Sequence, residues 1–393
     1  MNKDQTIELH KQYVMPTYAP DLVLVKGKGP YVWDADGCKY LDFLSGISVL
    51  NVGHCHPKVV HAIKTQASTL MHVSNLYYNE NQPRLAEALS KKSLRGKCFF
   101  CNSGAEANEA LIKLARLWGQ PQGKHQIISM RNSFHGRTLA TLTVTGQQKV
   151  QSGFEPLPEG FAQATFNDLK SCWMAVHKKT AAILVETIQG EGGVLPADPE
   201  FIKGLRTLCD EKNILLLCDE VQCGMGRTGR WFGYQHYGIE PDAISLAKGL
   251  GGGFPIGAMI TNQRLADVFY PGHHATTFGG TPLACAAGRA VVEAIEEESM
   301  IENAEKTGTL FMQKLEKICT KYTFIKDVRG KGLMVGLVFN ESAKDFEKCL
   351  RGKNLLTLAT AENVIRFLPP LNIKASQINR ALTAIKAVCK EWK

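Results

Sequence analysis

Lys248 stands between a short apolar run, Ile244-Ser245-Leu246-Ala247, and a turn of glycines, Gly249-Leu250-Gly251-Gly252-Gly253. Another apolar run 29 residues upstream, Ile214-Leu215-Leu216-Leu217-Cys218, ends in Asp219-Glu220-Val221-Gln222. An amine held after an apolar strand can be neutral and nucleophilic, and glycines let backbone approach a ligand closely. A carboxylate at the end of another strand can hold a pyridinium nitrogen in its protonated state. A Schiff-base amine and a ring-nitrogen partner are the two protein groups that pyridoxal phosphate (PLP) chemistry most requires, since a protonated ring is the better electron sink. Each residue also has a bland reading. A lysine beside glycines is usually a solvated loop lysine, and acids commonly end strands. Gln222 lies three residues past Asp219, where its amide can bond the ring hydroxyl.

Other motifs carry chemistry less specifically. Ser103-Gly104-Ala105-Glu106 follows an apolar run and opens a helical pattern. Ser103 and Glu106 have the spacing of a capping box, and the free amides at Gly104 and Ala105 can attract an anion such as a phosphate. Ser133-Phe134-His135-Gly136-Arg137-Thr138 offers Phe134 to stack on a flat ring and Arg137 to pair with a carboxylate; a buried Phe and a surface Arg are the ordinary alternative. Glu186 and Glu191 flank a flexible loop, and as a carboxylate pair they are a weak signal for glycosidase work. Gly224-Met225-Gly226-Arg227-Thr228-Gly229 matches a dinucleotide fingerprint, but no helix pattern opens after it. Lys248-Gly249 is no phosphate-binding P-loop, because its glycines follow the lysine.

The elements that must position these residues alternate. Predicted strands are Lys97–Cys101, Gln126–Met130, Ala181–Glu186, Ile214–Cys218, Ala243–Ala247 and Gly257–Thr261. Amphipathic stretches, Ala105–Trp118 and Pro199–Lys212, lie between them. Such alternation predicts an α/β fold with a mostly parallel sheet flanked by helices, and ligands beyond the carboxyl ends of its strands. Asp219, Glu186 and Lys248 all fall at such ends. A long helical stretch over Pro282–Thr320 leads to strands Gly332–Phe339 and Val364–Leu368 and a terminal helix, a smaller α+β unit. Tyr31–Gly37 predicts a hairpin. The expected division is a large domain over residues 51–281 and a small one over 282–393, with residues 1–50 packing on the small one.

The chain has 393 residues, 44% of them apolar and 21% charged, which is ordinary globular composition. Its 46 basic and 37 acidic residues leave a net charge of +9, interspersed without a basic face, so nucleic acid is not expected as a partner. No apolar run reaches membrane-spanning length, and Met1-Asn2-Lys3-Asp4-Gln5 shows no secretory signal, so the cytoplasm is the expected location. The twelve cysteines read as reduced thiols; Cys98-Phe99-Phe100-Cys101 and His54-Cys55-His56 read as packing and a turn, and no metal is expected.

The order of these motifs, from Tyr31-Val32-Trp33-Asp34 to Arg366-Phe367-Leu368-Pro369-Pro370, resembles the class III (ω-amino acid) aminotransferases of PLP fold type I. That resemblance implies PLP as cofactor. It makes Lys248 the lysine joined to the cofactor aldehyde and Asp219 the ring-nitrogen partner. Ser103, Gly104 and Ala105 would hold the phosphate, with Phe134 on the ring and Gln222 beside it. Thr277, in Thr276-Thr277-Phe278-Gly279-Gly280, resembles the threonine that reaches the neighbouring subunit's phosphate, which implies a homodimer with shared sites. Family members have Asn where Thr281 stands. The implied reaction moves the side-chain amino group of N-acetylornithine to 2-oxoglutarate, giving N-acetylglutamate 5-semialdehyde and glutamate. Arg137 would take the α-carboxylate of the amine and the side-chain carboxylate of glutamate, and Arg366 would take glutamate's α-carboxylate. Glu191 would mask Arg366 when the amine is bound, and Tyr18 belongs to the same substrate set. Ornithine aminotransferases carry Tyr where Ile47 stands, which argues against free ornithine. N-succinyl-diaminopimelate, ornithine and 4-aminobutyrate remain alternative amines. A nicotinamide dehydrogenase and a non-catalytic PLP-binding protein are the competing classes.

Overall fold

The computed structural model describes residues 2–392. After an exposed helix, Lys3–Tyr13, the chain forms antiparallel strands β1 (Leu24–Lys28), β2 (Tyr31–Asp34) and β3 (Lys39–Asp42). The predicted hairpin is the β2–β3 pair. Helices Pro57–Ala67 and Asn81–Lys92 follow.

The central sheet has seven strands: β4 (Arg95–Cys101), β5 (Gln126–Met130), β6 (Phe161–Ala164), β7 (Thr180–Glu186), β10 (Leu215–Asp219), β11 (Ala243–Leu246) and β12 (Gly257–Asn262). A two-stranded hairpin, β8 (Ile188–Gln189) with β9 (Leu195–Pro196), leaves the end of β7. The sheet order is β4-β12-β11-β10-β7-β5-β6, parallel except for β12, which runs antiparallel to both neighbours. Every residue of β7, β10 and β11 is buried. Helices cover both faces of such a sheet, so its strands are continuous apolar runs rather than alternating ones. Each fully buried Leu or Ile contributes roughly 1.5–3 kcal/mol relative to exposure. The helix Gly104–Gly119 starts where Ser103 caps it, and buries Ala107, Leu111, Leu114 and Ala115 on one face of the sheet. Two sets of buried side chains, one around Ile183, Val185 and Leu216 and the other around Leu184, Leu215 and Leu217, are the two sides of that alternation.

The remainder is built on β13 (Ile325–Lys331), β14 (Met334–Phe339), β16 (Leu358–Thr360) and β17 (Val364–Phe367), in the order β13-β14-β17-β16. A two-residue strand, β15 (Leu355–Leu356), pairs in parallel with β3 and joins the first fifty residues to this part of the chain. Three expectations change. The helical stretch from Pro282 is two helices, Pro282–Glu297 and Met300–Cys319, broken where Ser299 takes a left-handed backbone (φ +49). No glycine or proline marks that break. The edge strand β6 is absent from the predicted set, being only four residues long and paired on one side. Thr281, where the resemblance expects Asn, caps the helix: its hydroxyl accepts from Ala284 N–H at 3.3 Å.

Candidate active site

Parallel strands β7, β10 and β11 end side by side, and register sets Glu186, Asp219 and Ser245 in one row. Lys248 follows two residues past β11 with a left-handed backbone, φ +44, a strained conformation for a side chain of this size. The glycine after it has a steric reason: a Cβ on Gly249 would lie 2.4 Å from Asn51 Nδ2. A cavity of about 440 Å³ opens above this row, walled by Lys248, Asp219, Glu186, Phe134 and the Ser103–Ala105 turn. Gln222, Glu191 and Arg137 also line it.

Asp219 is fully engaged. One carboxylate oxygen accepts from Asn108 Nδ2 at 2.8 Å and from His135 Nδ1 at 2.7 Å, with the ring proton placed on Nδ1 by that contact; the other accepts from Val221 N–H at 3.0 Å. Burial works against its charge, but His135 and these donors overcome it and hold the carboxyl below its ordinary value. His135, fully buried, is correspondingly raised: burial alone would lower it, and Asp219 outweighs that. Glu186 lies beside them with Phe134 N–H at 3.1 Å, and burial, with Asp219 adding to it, pushes it up to about 7. Burial, opposed by Glu191, lowers the Lys248 amine. Burial thus favours the uncharged amine, the form that acts as nucleophile and base.

At the phosphate-like end, the first two N–H groups of the Gly104–Gly119 helix have no acceptor within the helix. Ser103 Oγ accepts from Glu106 N–H at 3.2 Å, which is half of the expected capping box. The other half is absent, because the Glu106 carboxylate reaches back to Asn102, whose Nδ2 donates at 2.9 Å. Glu109 is bonded to the Thr138 hydroxyl. Neither carboxylate lines the cavity; both are turned to hydrogen-bond donors of their own, which leaves the helix start open to an anion.

Behind Glu191 and Gln222, which line the cavity, stands Arg366 on β17, fully buried and paired with Gly336 across the β14–β17 ladder. Its Nη1 donates to Glu191 Oε1 at 2.6 Å and to Gln222 Oε1 at 3.0 Å, while Nε and Nη2 have no partner among the described residues. Burial would raise Glu191, but the adjacent guanidinium more than offsets it and holds that carboxyl below its ordinary value. Arg137 is exposed, without an ion pair, its guanidinium 5.5 Å from the Phe134 ring centre.

The structure thus brings together Lys248, Asp219, Gln222, Ser103, Gly104, Ala105, Phe134, Arg137, Glu191 and Arg366. Of these, Arg366 does not itself line the cavity but stands behind Glu191 and Gln222, and two further predicted residues lie elsewhere. Thr277 is exposed in a separate cleft with Asn75 and Tyr78. Tyr18 is 86% exposed, in a groove against the Lys3–Tyr13 helix. Unanticipated are His135 and Asn108, whose partnership with Asp219 the motifs did not reveal, though both stand within motif segments. The remaining motifs are structural. All twelve cysteines are free, and burial pushes Cys98 and Cys101 up to about 12. His54 and His56 are held by different acids, Asp42 at 2.7 Å and Glu298 at 2.9 Å.

An anion-attracting helix start, an aromatic face, a buried carboxylate for a cationic ring nitrogen and a buried lysine form a donor set that fits PLP. Beside it, Arg366 has two buried guanidinium nitrogens without a partner among the described residues, which a carboxylate would satisfy.

The class-III aminotransferase family matches residues 13–389. The chain is 50% identical to acetylornithine aminotransferase of Methanocaldococcus jannaschii, over all of both sequences. Its fold superposes on ornithine aminotransferase from Toxoplasma gondii with a TM-score of 0.95 and 33% identity, covering 100% of this chain and 96% of the other. It superposes on acetylornithine aminotransferase from Elizabethkingia anophelis with a TM-score of 0.88 and 35% identity, covering both chains completely. The chain belongs to the class-III aminotransferases, PLP-dependent transaminases of fold type I.

Proposed function

We propose that this chain moves the side-chain amino group of N2-acetyl-L-ornithine to 2-oxoglutarate, forming N-acetyl-L-glutamate 5-semialdehyde and L-glutamate in arginine biosynthesis. The observation that carries this reading is Arg366, buried, bonded to Glu191 through one nitrogen and unbonded at two others. When bound, PLP supplies an electron sink for the carbon that loses its proton.

The protein's own groups do the rest. Lys248 would hold the cofactor, and its Nζ, whose charged form burial disfavours, takes the proton from the substrate carbon bearing the reacting amine. Asp219 would keep the ring nitrogen protonated, Gln222 and Phe134 would hold the ring, and Ser103, Gly104 and Ala105 would hold the phosphate. Arg137 binds the carboxylate far from the reacting amine of acetylornithine, or the side-chain carboxylate of glutamate. Arg366 binds the α-carboxylate of glutamate through nitrogens that are otherwise unsatisfied. With acetylornithine, which has no carboxylate beside its reacting amine, Glu191 keeps Arg366 neutralised. The half-buried hydrocarbon of Ile47 offers free ornithine no hydrogen bond.

We further propose a cytoplasmic homodimer in which Thr277 and Tyr18 serve the neighbouring subunit's site. The exposed apolar residues beside Thr277, among them Leu76, Tyr77, Tyr78 and Phe278, support a buried interface there. Residues 282–393, with 1–50 packed on them, are proposed as a small domain beside a large one over 51–281.

The test is a single-turnover panel on the holoenzyme, following by absorbance the transfer of the amino group to the cofactor. Acetylornithine should react with a kcat/KM at least about tenfold above N-succinyl-diaminopimelate, ornithine and 4-aminobutyrate, about 1.4 kcal/mol in transition-state binding. A faster reaction with any of the three would replace acetylornithine as the substrate.

A further inference from the structure

Residues 45–48 are four consecutive positions with left-handed backbone, at φ +51, +62, +63 and +64. Only Gly46 among them adopts that region without penalty, and Ile47 is β-branched. Something must hold this turn. Asp42 does so from one side, accepting from Leu44 N–H at 2.8 Å and Ser45 N–H at 2.9 Å. From the other side comes Arg227, out of the glycine motif that resembled a dinucleotide fingerprint.

Arg227 is fully buried, and its acceptors are all uncharged. Nε donates to Ser48 Oγ at 2.9 Å and Nη2 to Asn51 Oδ1 at 2.7 Å. Nη1 donates to the carbonyls of Leu333, at 3.0 Å, and Pro369. The Arg227 carbonyl in turn accepts from Leu333 N–H at 3.0 Å.

Each acceptor leads to the site. Ser48 Oγ lies 3.3 Å from the Gln222 carbonyl, and Val49, the next residue, lines the cavity. Asn51 is the side chain pressed against Gly249, next to Lys248. Leu333 immediately precedes β14, and Pro369 follows β17 by two residues; these two strands pair Gly336 with Arg366. One guanidinium therefore ties the left-handed turn to the ladder that aims Arg366 and to the loop bearing Gln222.

We propose that Arg227 is a positioning residue that sets Arg366 and Gln222 in register with the Lys248 turn, and so governs affinity for the substrate whose carboxylate Arg366 receives. This rests on the reading of Arg366 given above. Arg137, which receives the other carboxylate, sits on the segment after β5 and touches none of these contacts.

The test compares wild type, Arg227→Lys and Ser48→Ala as holoenzymes in the two half-reactions. Lysine keeps a nitrogen donor but cannot reach four acceptors from one planar fork. Arg227→Lys should raise KM for glutamate at least about tenfold, leaving KM for acetylornithine and both kcat values within about threefold. Ser48→Ala should shift the same way by a smaller factor. A residue that only stabilised the fold would lower the active fraction and move both substrates alike; that result, or no shift in either variant, overturns the proposal. If Arg227→Lys does not fold, Ser48→Ala alone decides. Wild type unreactive toward glutamate would instead overturn the reading of Arg366. In that event hydrogen exchange on the cofactor-free protein decides: joint loss of protection at residues 45–51 and 366–371 in Arg227→Lys supports positioning, and unchanged protection overturns it.

Discussion

Asp219 and Arg366 are both charged and both buried, yet one is finished and the other is not. Asp219 has three donors on its two oxygens, all between 2.7 and 3.0 Å, from two buried side chains and one half-buried backbone N–H. Arg366 spends one nitrogen on Glu191 and Gln222 and leaves Nε and Nη2 unmatched. A saturated charge has one stable arrangement, because moving it breaks several charge-assisted bonds at once. A half-satisfied charge pays a desolvation cost that an incoming carboxylate relieves. The first arrangement suits a partner present in every step. The second suits a site that meets a dicarboxylate in one half-reaction and an amine without an adjacent carboxylate in the other.

Lys248 serves both regions, so its removal should erase the contrast. Lys248→Ala is expected to slow both half-reactions by more than about 10⁴-fold. Thermal unfolding should stay near that of wild type, which separates lost chemistry from lost fold. Residual activity above a per cent in either direction would deny the lysine its role. Next in size is Asp219→Asn, which keeps the shape and removes the charge. Both half-reactions should fall together by about 10²–10³-fold. A loss confined to one of them would mean that Asp219 is not the fixed element of the pair.

Arg366→Met should split the two halves. The glutamate half-reaction is expected to lose about 10²-fold, near 3 kcal/mol, while acetylornithine stays within about threefold. Glu191→Gln tests the other partner and should act oppositely, costing acetylornithine about tenfold and improving glutamate slightly. The pH dependence follows from the same pair. Glu191 is held below its ordinary 4.5 in the folded protein, so the ion pair contributes fully above that pH and is lost only as pH falls through the lower folded value. Selectivity between the two substrates should therefore be flat from about pH 8 to about pH 5. A break near neutrality would show that another group sets the mask.

The reading of the fold from sequence succeeded where burial is two-sided. Strands β7, β10 and β11 are unbroken apolar runs because both their faces are covered, and their ends placed Glu186, Asp219 and Lys248 in one region. It failed where an element depends on its partner, as in the edge strand β6 and the two-residue β15. The helix break at Ser299 escaped because Glu296-Glu297-Glu298-Ser299 carries no breaker residue. Within the site, residues with a distinctive type and spacing were visible. His135 and Asn108 were not, because their meaning lies in contacts to Asp219 across 84 and 111 residues of chain. Arg227 was hidden by its own motif: the glycines around it drew attention to a ligand, while its side chain turns inward.

The smallest effect concerns the boundary of the unfinished region. Ile47 packs at the edge of the apolar group formed by Ile188, Val194 and Leu368, one to three residues from Gln189, Glu191 and Arg366 in the chain. It is half-buried and offers no polar atom. Free ornithine differs from its acetylated form by an ammonium group, which needs an acceptor when it leaves water. Ile47→Tyr supplies one hydroxyl close to these residues, and a single hydrogen bond to a charged group is worth about 1.5 kcal/mol. The kcat/KM for ornithine should rise about fivefold to tenfold, with acetylornithine unchanged or slightly slower. The backbone is indifferent to the exchange, since neither residue favours the left-handed conformation at φ +63. A variant that gained nothing with ornithine would move the discrimination away from this turn and onto Arg137, the remaining group that meets the substrate's distal end.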